Sequence, residues 1–220
     1  MPPALERTRL AVAHSLAGSP VIGVVRTTSR DVAKAQAEAL WAGGLELVEV
    51  TFTVPGAASV VRELLALRGG EGPPWIGMGT VTTGARADEG IAAGAEFLVT
   101  PNVSPDVAHR ARTADLFLVL GALTPSEIVT ARELGADVVK VYPLPPVGGA
   151  SYLATIRQPL GDIPMLAAGG FSVEEIPTYA AAGASAFGIG APLFGDDAAE
   201  TRRRVERALE LARAGTSERR

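Results

Sequence analysis

The sequence predicts an α/β fold, a closed (β/α)8 TIM barrel with an additional N-terminal helix. Three observations carry that prediction. Short apolar, β-rich runs alternate with helical patterns along the whole chain and can be counted eight times. Helix ends share a repeated phrase, Gly followed by a small or apolar residue and then a strand. The length of 220 residues sits at the low end for an eight-unit barrel and leaves too little chain for two independent domains, so residues 1–220 are read as one domain.

The strands are expected at 21–25, 45–51, 75–79, 96–100, 116–120, 137–142, 164–168 and 184–189. Helix starts are marked by Ser29 or Asp31, by Ser104-Pro105, by Thr124-Pro125-Ser126-Glu127, and by Ser172 with Glu175 three residues on. Helix stops fall at Gly44, Gly94, Gly135 and Gly183, where a left-handed glycine ends the helix before the next strand. Parallel strands need right-handed helical crossovers, and eight such units can close, placing the active site at the C-terminal strand ends. The competing open, doubly wound sheet lacks support because no strand leads into a G-x-G-x-x-G turn. Gly77-Met78-Gly79-Thr80 supplies only G-x-G and is read as a tight barrel turn.

Composition narrows the function classes. Apolar residues make up 47% of the chain, enough for a core that needs neither metal nor disulfide to hold it, and there is no cysteine to form a disulfide or thiolate metal site. A net charge of -4 argues against nucleic acid. The basic cluster Arg202 to Arg204 is interleaved with Glu200 and Glu206 and reads as a solvated helix face. The first nineteen residues lack a basic start followed by an apolar run and read instead as a short amphipathic helix with Leu5, Leu10, Val12 and Leu16. No later segment has membrane-spanning length without charges or glycines, so a cytoplasmic protein is expected. His14 and His109 fall in helical segments with no acidic partner at ligand spacing, and no metal is expected.

In such a barrel, chemistry belongs to polar residues placed late in the strands and pointing inward. These are Arg26, Glu49, Thr51, Thr80, Thr100, Lys140 and Tyr142, with Gly169-Gly170 after the seventh strand and Gly188 and Gly190 around the end of the eighth. Lys140 stands out because the chain has two lysines against eighteen arginines, and this one interrupts Val138-Val139-Lys140-Val141-Tyr142, a strand otherwise built for burial. Lys34 lies in a polar helical stretch and reads as solvated. Arg stays protonated, whereas a partly desolvated Lys can lose its proton and act as a nucleophile toward a carbonyl. A buried ion pair is the purely structural alternative. Strand alternation puts Leu47, Glu49 and Thr51 on one face and Val48 and Val50 on the other, so Glu49 points inward with Lys140 and can relay protons. Arg26 adds a positive charge at the mouth that attracts an anionic substrate. The backbone amides at Gly169-Gly170, and a second set at Gly190-Ala191, fit a phosphate or carboxylate.

Across six strand ends the residues resemble the 2-keto-3-deoxy-6-phosphogluconate (KDPG) and 4-hydroxy-2-oxoglutarate aldolases. The matching segments are Val21-Ile22-Gly23-Val24-Val25-Arg26, then Ala42-Gly43-Gly44 leading into Val48-Glu49-Val50-Thr51-Phe52-Thr53, and Gly77-Met78-Gly79-Thr80-Val81. They continue with Phe97-Leu98-Val99-Thr100-Pro101-Asn102, Val139-Lys140-Val141-Tyr142-Pro143 and Ala168-Gly169-Gly170. The resemblance implies a class I aldolase acting on a pyruvate-derived keto acid without a cofactor, with Lys140 as the Schiff-base lysine and Glu49 as the general acid/base. It also places Arg26, Thr53 and Thr80 around the keto acid, and Gly169, Gly170, Gly190 and Ala191 around the distal anion. A homotrimer is the family's usual assembly. Two positions depart from the family pattern: Thr53 stands where many members have Arg, and Ala191, followed by Pro192, stands where many have Ser. Thr100-Pro101-Asn102 and Gly188-Ile189-Gly190-Ala191 are closer to the branch acting on the phosphogalactonate epimer (KDPGal). Two other readings are a phosphate-binding barrel isomerase or synthase, with Lys140 as an electrostatic clamp, and a sugar-acid binding module without turnover.

Overall fold

The computed structural model describes residues 4–217. Helix α1 (Ala4–Gly18) precedes eight alternating units, in which β1 (Val21–Val25) leads to α2 (Arg30–Ala42), β2 (Leu47–Thr51) to α3 (Ala57–Arg68), and β3 (Trp75–Gly79) to α4 (Gly84–Ala92). Next come β4 (Phe97–Val99) with α5 (Pro105–Thr113), β5 (Phe117–Ala122) with α6 (Pro125–Glu133), and β6 (Val138–Val141) with α7 (Gly149–Arg157). The last two units are β7 (Met165–Ala168) with α8 (Ile176–Ala181) and β8 (Ala186–Ile189) with the long α9 (Ala198–Ser217). Each strand pairs in parallel with the next, and β8 pairs back onto β1, closing the barrel. The expected strands all form, most of them one or two residues shorter at the ends than the apolar pattern.

The local signals act as their chemistry dictates. Ser29, Ser104 and Thr124 cap α2, α5 and α6 by accepting backbone N–H bonds, and Thr124 and Glu127 close a reciprocal capping box. Ser172 and Glu175 form a second box, which opens a short 3-10 turn before α8. The four helix-stop glycines have φ between 87° and 104°, the left-handed conformation in which a side chain would be strained.

Period-two alternation sorts the strand residues into two cores. Val48, Val50, Ile76, Met78 and Val139 face outward and pack under the helices. Ile22, Leu47, Trp75, Phe97, Phe117 and Val138 fill the lower barrel, together with Val12 and Leu16 of α1. Five of these, Leu47, Trp75, Phe97, Phe117 and Val138, are the first residues of their strands, so α1 plugs the N-terminal end. The plug is fastened by the Trp75 indole, which donates to Ser15 Oγ at 2.9 Å, and by Arg9, which pairs with Asp137 at 2.8 Å. Leu10 departs from the expected apolar face. It is 63% exposed, because it lies two residues from Val12 and therefore on nearly the opposite side of the helix. The side chain of Leu5 lies outside the described residues.

Gly77 and Gly79 correct a second expectation. They form no turn and lie within β3, where the absence of side chains makes room for others. A Cβ on Gly77 would stand 2.2 Å from the Phe97 ring, and one on Gly79 would overlap the Glu49 carboxyl at 1.8 Å. Lys34 pairs with Glu63 at 2.9 Å, and Arg204 pairs with Glu200 on α9, as suits a solvated helix face. No helix among the described residues is long and apolar enough to cross a membrane.

Candidate active site

With one end of the barrel plugged, polar side chains converge at the other. Lys140 projects inward from β6, 8% exposed, and Glu49 projects inward from β2, 2% exposed. Strands two and six lie opposite one another in a ring of eight, so the two groups face each other across the axis. Neither takes part in an ion pair within 4.0 Å among the described residues. Glu49 Oε1 is buried with no hydrogen-bond partner there. The buried salt bridge that offered a purely structural account of Lys140 is therefore absent.

A cavity of about 400 Å³ opens above Lys140. Arg26 and Tyr142 stand on its wall, and the Gly169-Gly170 and Gly190-Ala191 segments form its far side. The Tyr142 ring lies against the amine, its centroid 5.3 Å from Nζ, a distance at which the ring face attracts a cation. Gly169 and Gly170 both have positive φ, at 135° and 90°. Gly169 is pinched, since a Cβ would stand 2.7 Å from Pro145 Cδ, whereas a Cβ on Gly170 would meet nothing within 4 Å. The pinch holds this turn against the chain that follows Lys140. Gly190 has φ -108°, so it does not extend the left-handed pattern, and Ala191 opens a 3-10 turn, Ala191–Leu193, with Pro192 on the cavity wall.

The remaining candidates group around the ends of β2 and β3. Thr51 Oγ1 donates to the Val25 carbonyl at 3.1 Å and shares a 2.7 Å hydrogen bond with Thr53 Oγ1. Thr53 is exposed and does not line the cavity, while Thr80 receives Arg26 Nη2 on its hydroxyl at 3.3 Å. Thr100 is fully buried, and its hydroxyl bonds the Asn102 carbonyl at 2.6 Å and the Gly121 amide at 2.9 Å. It fastens the end of β4 to β5 and leaves no donor for a ligand. His14 and His109 are exposed on α1 and α5, away from this end of the strands. Arg86 escaped the sequence reading. Its position in the first turn of the helix after β3 was the available signal, because that turn stands at the barrel mouth.

The geometry is that of a small-molecule site with an amine and glycine backbone on the cavity wall, and a buried carboxyl on the opposite strand that packs against Gly79 and does not itself line the cavity. The sequence model of the family described as KDPG and KHG aldolase matches residues 12–207. The chain belongs to that family. A Rhizobium meliloti protein described as a probable 2-dehydro-3-deoxy-6-phosphogalactonate aldolase is 31% identical, over 84% of this chain and 88% of its own. A Treponema pallidum 2-dehydro-3-deoxy-phosphogluconate aldolase is also 31% identical, over 81% and 78% respectively. The structure of a Legionella pneumophila KDPG aldolase, with pyruvate captured as a covalent carbinolamine, superposes with a TM-score of 0.74 at 26% identity, covering 91% of this chain and 95% of that one. Membership of the aldolase family does not favour the isomerase, synthase or non-catalytic readings.

Proposed function

We propose that the chain is a class I aldolase that cleaves and forms a pyruvate-derived 2-keto acid through a Schiff base on Lys140, with Glu49 as general acid and base. The observation that carries this reading is the pair of inward groups that form no ion pair among the described residues, with Glu49 Oε1 left without a hydrogen-bond partner. An unpaired buried acceptor costs about 1–3 kcal/mol, and a residue serving stability alone would be bonded. Fold stability gives Glu49 no reason to be there, and proton transfer does.

The neutral amine of Lys140 adds to the C2 ketone, and Glu49 returns the proton to the new hydroxyl, which leaves as water to give the iminium. The Tyr142 ring face supports the positive charge that develops on nitrogen. Glu49, now a carboxylate, removes the C4 hydroxyl proton. The C3–C4 bond then breaks, its electron pair passes into the iminium, and an aldehyde departs, leaving an enamine. Protonation at C3 and addition of water release pyruvate and restore the amine.

The Gly169-Gly170 amides and the Gly190-Ala191 segment receive the distal end of the substrate. A 2-keto-3-deoxy sugar acid phosphate and 4-hydroxy-2-oxoglutarate both fit this scheme, and relatives named for the gluconate and the galactonate epimers are equally similar. Arg26, with Thr80 on which it is anchored, serves the keto-acid end, whereas Thr53 is exposed outside the cavity and bonded to Thr51. We take the assembly to be a homotrimer in the cytoplasm; a similar chain in a cage designed by fusing symmetric oligomeric domains supports the oligomeric part of this reading.

Borohydride reduction in the presence of pyruvate tests the proposal. The expected product is a covalent pyruvyl adduct at Lys140, lost together with aldol turnover in Lys140→Arg. An active Lys140→Arg variant, or turnover without an adduct, would overturn it.

A further inference from the structure

The segment after β3 concentrates positive charge that the barrel does not need for closure. Thr80 has φ 57°, a left-handed backbone that a β-branched residue rarely adopts. Two guanidinium groups reach this one residue. Arg26 Nη2 donates to the Thr80 hydroxyl at 3.3 Å, and Arg86 Nη1 donates to the Thr80 carbonyl at 3.3 Å and to Thr82 Oγ1 at 2.9 Å. Arg86 is fixed further by the Phe52 ring, whose centroid lies 5.4 Å from its Cζ.

Among the described residues no carboxylate pairs with either guanidinium within 4.0 Å. Like charges held at a common anchor repel, and an anion between them relieves the repulsion. Both groups keep N–H donors beyond those engaged with Thr80 and Thr82, in the planar fork that suits a carboxylate. The adjoining end of β2 offers only the hydroxyls of Thr51 and Thr53, already bonded to each other. Charge for an anion on this side of the mouth comes from β1 and α4 instead.

The location specifies the anion. Thr80 directly follows Gly79, on which the Glu49 carboxyl rests, and Arg26 also lines the cavity that contains Lys140. We infer that Arg26 and Arg86 form a two-guanidinium seat for a carboxylate adjacent to the reacting carbonyl. Arg86 is the residue that makes the pocket choose a 2-keto acid over a neutral ketone. The inference rests on the aldolase reading for the identity of the reacting carbonyl, and its test is independent of imine formation.

Oxamate resembles pyruvate in shape and charge but forms no Schiff base, and oxamide is its neutral counterpart. Calorimetric titration of both into the unaltered protein, Arg86→Ala and Arg86→Lys provides the test. The expected result is that Arg86→Ala weakens oxamate binding about tenfold, the effect of one charge-assisted hydrogen bond. Arg86→Lys recovers part of the loss, oxamide is unaffected, and KM for pyruvate in the aldol direction rises while kcat stays within about twofold. Unchanged oxamate affinity, an equal loss for oxamate and oxamide, or no oxamate binding to the unaltered protein would each overturn the seat. A protein that binds oxamate through Arg86 yet gives no borohydride adduct keeps the seat and loses the Schiff-base mechanism.

Discussion

Gly79→Ala tests how the floor of the site is built. The added methyl carbon would stand 1.8 Å from Glu49 Oε1 and 2.3 Å from its Cδ, where ordinary contact begins at 3.4 Å. The carboxyl must therefore move by roughly 1.6 Å, because the strand backbone that carries the methyl is hydrogen-bonded on both sides and the carboxyl is the softer partner. Overpacking of this kind costs about 1–3 kcal/mol, offset by about 0.4–1 kcal/mol from the stiffer unfolded chain. A net loss of about 1–2 kcal/mol leaves a folded protein. Misplacing a catalytic group by about 1 Å can cost about a hundredfold in rate, so kcat for aldol cleavage is expected to fall by about that factor, with the Lys140 adduct still trapped by borohydride. Gly77→Ala is the matched control. Its methyl meets the Phe97 ring at 2.2 Å instead of the carboxyl, so it should lower the melting temperature at least as much while changing kcat far less. If Gly79→Ala kept kcat within twofold while a crystal structure showed the carboxyl displaced, the claim that chemistry needs Glu49 at that spot would fail.

Two further predictions concern stability. Ser15→Ala leaves the buried Trp75 N–H without its acceptor and should cost about 1–3 kcal/mol in urea unfolding with little change in kcat; a neutral effect would mean that α1 is held by its apolar contacts and the Arg9–Asp137 pair without this bond. Glu127 has its pKa lowered from the ordinary 4.5, first by the Thr124 amide, then by the Leu123 amide and the Thr124 hydroxyl. Because the folded pKa is the lower one, the unfolded chain binds more protons in the interval between the two values. The capping box thus stabilises fully above about pH 5 and loses that contribution as pH falls through the folded value. Glu127→Ala, which removes the acceptor of both amides and the hydroxyl, should cost about 1 kcal/mol at neutral pH and progressively less in acid, read from urea unfolding at several pH values. A pH-independent difference would discount the carboxylate.

The barrel was legible because its signals are local and repeated. Four helices stop and reverse on a left-handed glycine, Gly44, Gly94, Gly135 and Gly183, while α5 makes the same stop on Asp115 and left no such mark. Inward and outward faces were legible from alternation, which placed Glu49 and Lys140 in the interior before any contact was known. Gly77 and Gly79 were misread because glycine signals either a turn or missing volume, and the choice depends on Phe97 and Glu49, neither of which is local to β3. Leu10 was assigned to the wrong face because hydrophobicity alone does not set helical phase. Arg86 carries one local mark, its place in the first turn of α4, which does not by itself distinguish it from other helix-start residues. Its significance depends on Arg26 reaching Thr80 and Phe52 reaching Arg86 from two other loops, a coincidence that only the closed ring creates.

The scarcity of lysine has a practical consequence. Trypsin cuts after Lys140 in the free protein, releasing residues 133–140 and 141–157 as separate peptides, but a secondary amine left by borohydride blocks that cut. The adduct therefore joins the two pieces into a single fragment, 133–157, while modification at Lys34 would join 31–34 to 35–62. A mass spectrum of the digest thus identifies which amine captured the ketone without a mutant, and the Glu63 partner of Lys34 provides the surface reference against which a buried nucleophile can be judged.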